Sequence, residues 1–432
     1  MRGPRAAGRP ATSTGVSPPV LSKMNVGRRP LSQYQSLVDR DLMAEVRELA
    51  ADVRGLRVCN ISASGEAGGV AELLASTVPL FNHLGVESAW RVLGGRPEFF
   101  RAAGVLHDGL QGARVHLDDA ARRTFERHSL LNAGGLDRPY DVVVVHDPEP
   151  LGMREGADGD DAVWIWRCHL DMSSPDPGVF DAVRPMLDGY ALGVYHMPGY
   201  VPRGGGPEPV IIPPAIDPLT PKNMALPRRD AADIVAQFGV DPDRPLMVQV
   251  SRFDPWKDPV GVIDAFREAR REVPGLQVAL VGPRGGDVAG GRDCLDATVD
   301  HAAGDPDIHL LWDAQRIGAV EVNAFQTAAD VVVQKSLREG FGLTVTEALW
   351  KARPTVASDV GGIPSQIVDG ETGHLAGDPA ECAARVVEVL RDPVAAGEMG
   401  RRGKQHVRHQ FLTPRLIRDW LGLLRRVAQS TR

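Results

Sequence analysis

The residues with the clearest chemical potential lie in the run Ser336 to Trp350, SLREGFGLTVTEALW. Glu339 and Glu347 stand eight positions apart, on either side of Gly340, Phe341, Gly342 and Leu343. Glycines in such a turn let the backbone approach a ligand closely, and a helix that starts there offers free N–H groups to an anion. The two carboxylates can address two parts of one ligand, and carboxylate oxygens accept strongly from paired hydroxyls. Glu347 has an equally good second reading, because Thr344-Val-Thr-Glu347 spells a capping box in which the glutamate caps its own helix. The alternative for Glu339, a solvated loop charge, is disfavoured beside two glycines and an exposed Phe341.

A second constellation is VSRFDPWKDP, Val250 to Pro259. Arg252 and Lys257 sit five apart across an Asp-Pro turn, so both cations can converge on a diphosphate, one as a fork and one as a point charge. The alternative is an ion pair with Asp254 or Asp258. In the first half, ASGEAGGVAE places Gly65, Gly68 and Gly69 at the start of a helix, a geometry that cradles phosphate or sugar. It is neither G-x-G-x-x-G nor a Walker loop, so nicotinamide chemistry and P-loop hydrolysis are poorly supported. Gly361 and Gly362 are placed to close over the same anion. His146 in VVVVHDPEP and His169 in WIWRCHLD end strands, where each can hydrogen-bond a sugar hydroxyl, shuttle a proton, or serve only the core. Asp147 and Glu149 at the same edge are candidates for a second ligand's hydroxyls.

Several chemistries find no support. Asp158-Gly-Asp160 looks like a metal-nucleotide signature but sits in a polar turn and reads as solvated. The His146 and His169 pair has no third metal ligand of clear spacing. No G-x-S-x-G elbow occurs, and Cys59 and Cys168 lie in apolar strands, unsuited to nucleophilic work.

Positioning these residues requires strand ends. Apolar runs rich in Val and Ile alternate with helical patterns from Leu56 onward: Arg57 to Ser62, Ser88 to Leu93, Asp141 to His146, Val163 to His169, Ala191 to His196 and Val210 to Pro213. Runs that are apolar on both faces belong to parallel sheets covered by helices. Nine prolines between Pro198 and Pro227 mark an interdomain linker, and a second alternation follows, with strands at Leu246 to Arg252, Gln277 to Val281, Ile308 to Leu311, Val331 to Gln334 and Pro354 to Ala357. The expected fold is therefore α/β, with two doubly wound Rossmann-like domains facing a cleft at the strand ends. The expected division is a disordered tail over 1–40, a first domain over 41–220, a second over 221–412, and a helix over 413–432 whose apolar stripe is free to cross back to the first domain.

Composition narrows the class. A chain of 432 residues implies two or three domains, and 43% hydrophobic with 24% charged residues describes a globular protein. A net charge of −7 is the wrong sign for a nucleic-acid partner. Four scattered cysteines suggest neither disulfides nor zinc, and no apolar run approaches a membrane span, so a cytoplasmic protein is expected. The first residues are Arg-rich, but their prolines argue against a targeting helix.

These motifs resemble the retaining family-4 glycosyltransferases of GT-B fold, over about residues 45–430. Within them, GGVAE, HDPEPL, WIWRCHLD, IIPPAIDP and LREGFGLTVTEALW look like the nucleotide-sugar-dependent trehalose synthases. The resemblance implies transfer of glucose from a nucleoside diphosphate glucose to C1 of glucose, giving α,α-trehalose. It implies Arg252 and Lys257 on the diphosphate, Glu347 on the ribose, and Glu339 with the backbone of Gly340 to Gly342 on the donor glucose. His169 would stand at the sugar's 6-hydroxyl, with Gly68, Gly69, Phe341 and Leu343 around the donor and no protein nucleophile. It implies no tightly bound cofactor, no motif for the Mg2+ that can stimulate such enzymes, small-molecule substrates as partners, and a homodimer as a plausible assembly. The related phosphorylases use inorganic phosphate in place of the nucleotide. A nucleotide-sugar epimerase and a sugar-binding regulator without turnover are the readings from other classes.

Overall fold

The computed structural model describes residues 21–66, 68–157, 159, 161–284 and 291–430. Seven strands form the first sheet: β1 (Ser22–Lys23), β2 (Arg57–Ser62), β3 (Glu87–Val92), β4 (Val142–His146), β5 (Val163–Arg167), β6 (Leu192–Tyr195) and β7 (Glu208–Ile211). Six form the second: β8 (Leu246–Val250), β9 (Gln277–Val281), β10 (Ile308–Leu311), β11 (Val331–Gln334), β12 (Thr355–Ser358) and β13 (His374–Ala376). Their orders are β1-β3-β2-β4-β5-β6-β7 and β10-β9-β8-β11-β12-β13, with every pairing parallel except β1 on β3. The valine run of β4 shows why: Val142 and Val144 enter one core, Val143 and Val145 the other, so helices cover both faces.

In each sheet the strand order reverses once, between β2 and β4 and between β8 and β11. Such switch points open a crevice at the carboxyl ends of the strands. The loops that leave β2, β4, β8 and β11 carry the glycine turn, His146 to Glu149, Arg252 to Lys257, and Glu339 to Glu347.

Part of the tail expected over 1–40 belongs to the folded first domain. Residues 1–20 lie outside the described residues, but Ser22–Lys23 pairs with the edge of β3, and Leu31, Tyr34 and Val38 are buried. Arg29 pairs with Asp217 of the linker, and the Tyr34 hydroxyl donates to Asp217 Oδ1 at 3.1 Å. These apolar side chains are spaced like a helix face, a pattern hidden among prolines and arginines. Asp158 and Asp160 of the acidic turn also lie outside the described residues.

The proline-rich segment divides in two. Glu208–Ile211 is an edge strand of the first sheet, and the crossing itself follows it. A second crossing runs alongside: Ile216 N–H donates to the Phe411 carbonyl at 2.9 Å, and Thr413 N–H donates to Ile216 at 3.0 Å. Beyond it the helix Thr413–Ser430 packs on Arg40–Asp52 and Gly69–Leu84 of the first domain, burying Leu416, Ile417, Trp420, Leu421, Leu423 and Leu424. Each such leucine contributes roughly 2 kcal/mol of burial. One core thus runs through both halves, joining Phe341, Val345 and Leu349 to Val144, Ile165 and Leu416. Among the described residues no helix is long and apolar enough to cross a membrane.

Candidate active site

The second-domain wall is built on charge. Lys257 closes a short turn, Pro255–Lys257, in which the Trp256 N–H donates to Asp254 Oδ1 at 2.9 Å. From there Lys257 Nζ donates to Glu339 Oε2 at 2.6 Å, which also accepts from Ser336 Oγ at 3.3 Å. Arg252 leans on Asp254, Nη2 to Oδ2 at 3.2 Å, with its side chain 50% exposed. Arg252 takes the ion-pair alternative and Lys257 pairs with Glu339, so the two cations do not share a partner.

The turn that carries Glu339 is held from behind. Gly342 lies at φ +84°, the left-handed region, and Gly361 at φ +57° packs so tightly that a Cβ there would meet the Glu339 carbonyl at 1.7 Å. Gly361 and Gly362 therefore brace the backbone of Gly340 and Phe341 and do not close over an anion. Phe341 is buried between His196 and Phe411, with ring centroids 5.7 Å away on each side. Its ring belongs to the core, so only its backbone is available to a ligand. Leu343 opens the helix Leu343–Trp350 and faces Gly69 across the cleft, with 3.7 Å between Leu343 Cδ1 and the position of a Gly69 Cβ. Gly68 holds φ +95° at the opposing turn.

Glu347 is not a cap. The helix has no side-chain cap bond at Gly342, and Glu347, 2% exposed, points inward with Oε1 3.4 Å from Lys222 Nζ. Lys222 also grips Glu72 of the first domain, 2.8 Å to each oxygen. Burial pushes the Glu347 carboxyl up while Lys222 and Lys351 oppose it, and Oε2 has no hydrogen-bond partner. A buried acceptor without a donor is costly, so this oxygen is poised to take a hydroxyl.

The first-domain wall is built on hydrogen bonds. Asn60 Oδ1 lies 3.3 Å from His146 Nε2, His146 Nδ1 lies 3.0 Å from His169 Nε2, and His169 Nδ1 lies 3.3 Å from His196 Nε2. Asn60 gives its amide hydrogens to Ser88 and Ala89, so its oxygen accepts. Neutral rings then donate in one direction, His196 to His169 to His146 to Asn60. Burial, then Arg167, holds His146 at about 3, and the same causes hold His169 and His196 well below the usual histidine range. Both ring nitrogens of His146 and of His169 are taken up within this chain, which leaves neither with a nitrogen free for a sugar hydroxyl.

Asp147 adopts φ +64° and accepts from the His169 N–H at 2.7 Å, so the loop after β4 supports the loop after β5. Burial and Glu149 push its carboxyl up. Glu149 pairs with His107 Nδ1 at 2.9 Å; burial disfavours the His107 cation, but Glu149, Asp147 and Asp108 raise it to about 9. Tyr200 ties the walls together, its hydroxyl donating to the carbonyls of Glu339 (3.0 Å) and Gly340 (2.8 Å). His107, His196, Tyr200 and Lys222 all escaped sequence reading. His196 ended a recognised strand run and could have been found there; the others owe their place to partners far along the chain. Among the described residues no group of three or more His, Cys, Asp or Glu is arranged to hold a metal ion.

Residues 60–202 match the model of the trehalose synthase N-terminal domain, and residues 230–406 that of the glycosyl transferases group 1. A trehalose synthase of Rubrobacter xylanophilus is 50% identical over 410 residues, 94% of this chain and 98% of that protein. The chain belongs to the trehalose synthase family. Trehalose synthases are not its sole relatives: a trehalose phosphorylase of Grifola frondosa is 25% identical over 91% of this chain and 60% of its own length. The fold recurs in sucrose-phosphate synthase from Thermosynechococcus elongatus, at a TM-score of 0.68 and 18% identity over 87% of this chain and all of that one. This trehalose synthase family member is therefore a glycosyltransferase of GT-B architecture, as its motifs led us to expect.

Proposed function

We propose that the protein transfers glucose, with retention, from a nucleoside diphosphate glucose to C1 of free glucose, forming α,α-trehalose reversibly. The observation that carries this reading is the pairing of Lys257 with Glu339 beside a half-exposed Arg252. A departing diphosphate gathers negative charge in the transition state, and preorganised cations at that point stabilise it. Lys257 and Arg252 take that charge, while Glu339 and the backbone of Gly340 to Gly342 hold the donor glucose. Glu347 Oε2 accepts a ribose hydroxyl. A cavity of about 490 Å³ beside Arg284, Trp312 and Arg316, at the ends of β9 and β10, takes the base.

Asp147, Glu149 and His107 line the side from which the acceptor enters. The acceptor's C1 hydroxyl oxygen bonds to the donor's anomeric carbon on the face the diphosphate leaves, and its proton passes to the leaving phosphate oxygen. No protein nucleophile is needed.

The fungal relative favours one other reading, phosphorolysis of trehalose. It leaves the unpartnered Glu347 oxygen and the 490 Å³ cavity without a use. Incubating the protein with trehalose and either a panel of nucleoside diphosphates or inorganic phosphate separates the two. The expected product is a nucleoside diphosphate glucose; glucose 1-phosphate from phosphate alone would transfer the assignment to the phosphorylase reading.

A further inference from the structure

Arg167, the last residue of β5, presents an anomaly that the proposed transfer does not use. Its side chain is buried (2% exposed), yet the guanidinium makes no hydrogen bond or ion pair among the described residues, and Nη1 is wholly enclosed without a partner. A buried cation is ordinarily paired, because an uncompensated charge inside a protein is strongly unfavourable. Asp147 is the carboxylate whose charge acts on it most, and Arg415 adds a repulsive one although it is itself paired with Asp419 at 2.8 Å. Burial pushes the Arg167 guanidinium down to about 9.

The same residue lines a narrow, partly enclosed chamber of about 30 Å³ between the first sheet and the helices Gly69–Leu84 and Thr413–Ser430. Most of its wall is apolar, including Leu73, Leu74, Val144 and Trp420. The polar groups on the wall are occupied: Thr77 Oγ1 donates to the Leu73 carbonyl at 2.8 Å, and Asn60, His146 and His169 bond along their own chain. Water holds such a chamber only with two to four polar partners, and the one buried, unpartnered polar atom named on its described wall belongs to a cation. The space suits roughly two waters or one small ion.

We propose that this chamber binds a monovalent anion of halide size, chloride being the biological representative, held by the Arg167 guanidinium. The anion supplies the missing countercharge beneath the strand ends. It also offsets the field that Arg167 casts on His146, His169 and His196, so occupancy makes that histidine chain easier to protonate.

The direct test is a crystal of the full chain grown or soaked in sodium bromide. The expected result is an anomalous peak in the chamber within hydrogen-bond reach of Arg167; a chamber holding only water overturns the proposal. In solution, the melting temperature is compared in sodium chloride and in sodium gluconate at equal ionic strength, gluconate being too large to enter. Chloride should raise the wild-type midpoint, and Arg167→Met should abolish the difference. An undiminished chloride response in Arg167→Met overturns the proposal, and if that variant does not fold, the bromide peak in the wild type decides alone.

Discussion

Along the first-domain wall, the side chains of one chain near the strand ends, from Asn60 through His146 and His169 to His196, are neutral and hydrogen-bonded to one another. Along the second-domain wall they are charged and keep atoms in reserve: Arg252 is half in solvent, and Glu347 has an oxygen with no donor. On the proposed transfer, the difference follows from what each wall must hold. A hydrogen-bonded histidine chain fixes shape, which suits the rim of a sugar site, whereas an anionic leaving group needs cations whose charge is not yet fully compensated. Left-handed backbone recurs on both walls, at Asp147 on one and at Gly342 and Gly361 on the other.

Lys257→Ala tests the charged wall most severely. It removes the cation proposed for the leaving group and should cost about 10²–10³ in kcat; turnover close to wild type would break the contrast between the walls. Glu347→Gln should raise the donor KM about tenfold, the value of one charge-assisted hydrogen bond, at little change in kcat. An unchanged donor KM would remove the ribose assignment.

Effects on the first-domain wall should be smaller. His196→Phe keeps the aromatic contact with Phe341 but deletes the donor to His169, and one neutral hydrogen bond is worth about 1 kcal/mol, so the rate should fall less than about tenfold. A loss as large as that of Lys257→Ala would show that the histidine chain moves protons and does not merely hold shape. The smallest effect concerns His107, raised to about 9 from the usual 6.5. A group raised in the folded state adds stability that is complete below about pH 6.5 and is lost as pH climbs through about 9. Glu149→Gln should move the His107 titration, followed by NMR, down toward 6.5 and lower the melting temperature at pH 6 more than at pH 10.

Much of this cleft can be read along the chain because its second wall is local. Glu339, the glycines and Glu347 fall within nine residues, and Arg252 and Lys257 within six, so spacing alone brings each set together. The strand runs are equally legible, since both faces of β4 and β11 are apolar. Spacing does not show what a residue faces. Thr344-Val-Thr-Glu347 spells a cap, yet Lys222, 125 positions earlier in a proline-rich stretch, draws Glu347 inward. Phe341 looks like a ligand contact until Phe411 and His196 enclose it. His107 finds Glu149 and Tyr200 finds Glu339 only through the fold, and the burial of Leu31, Tyr34 and Val38 was masked by the prolines and arginines around them.

In the proposed transfer the cations of the second-domain wall expel a diphosphate while the first-domain wall receives a second glucose. This is tested most directly by incubating the protein with glucose and ADP-, GDP-, UDP- or TDP-glucose and following the products by NMR. The expected result is α,α-trehalose with at least one donor, in step with release of the nucleoside diphosphate and lost in Lys257→Ala. Donor consumption without any disaccharide, or no reaction with any of the four, would contradict it.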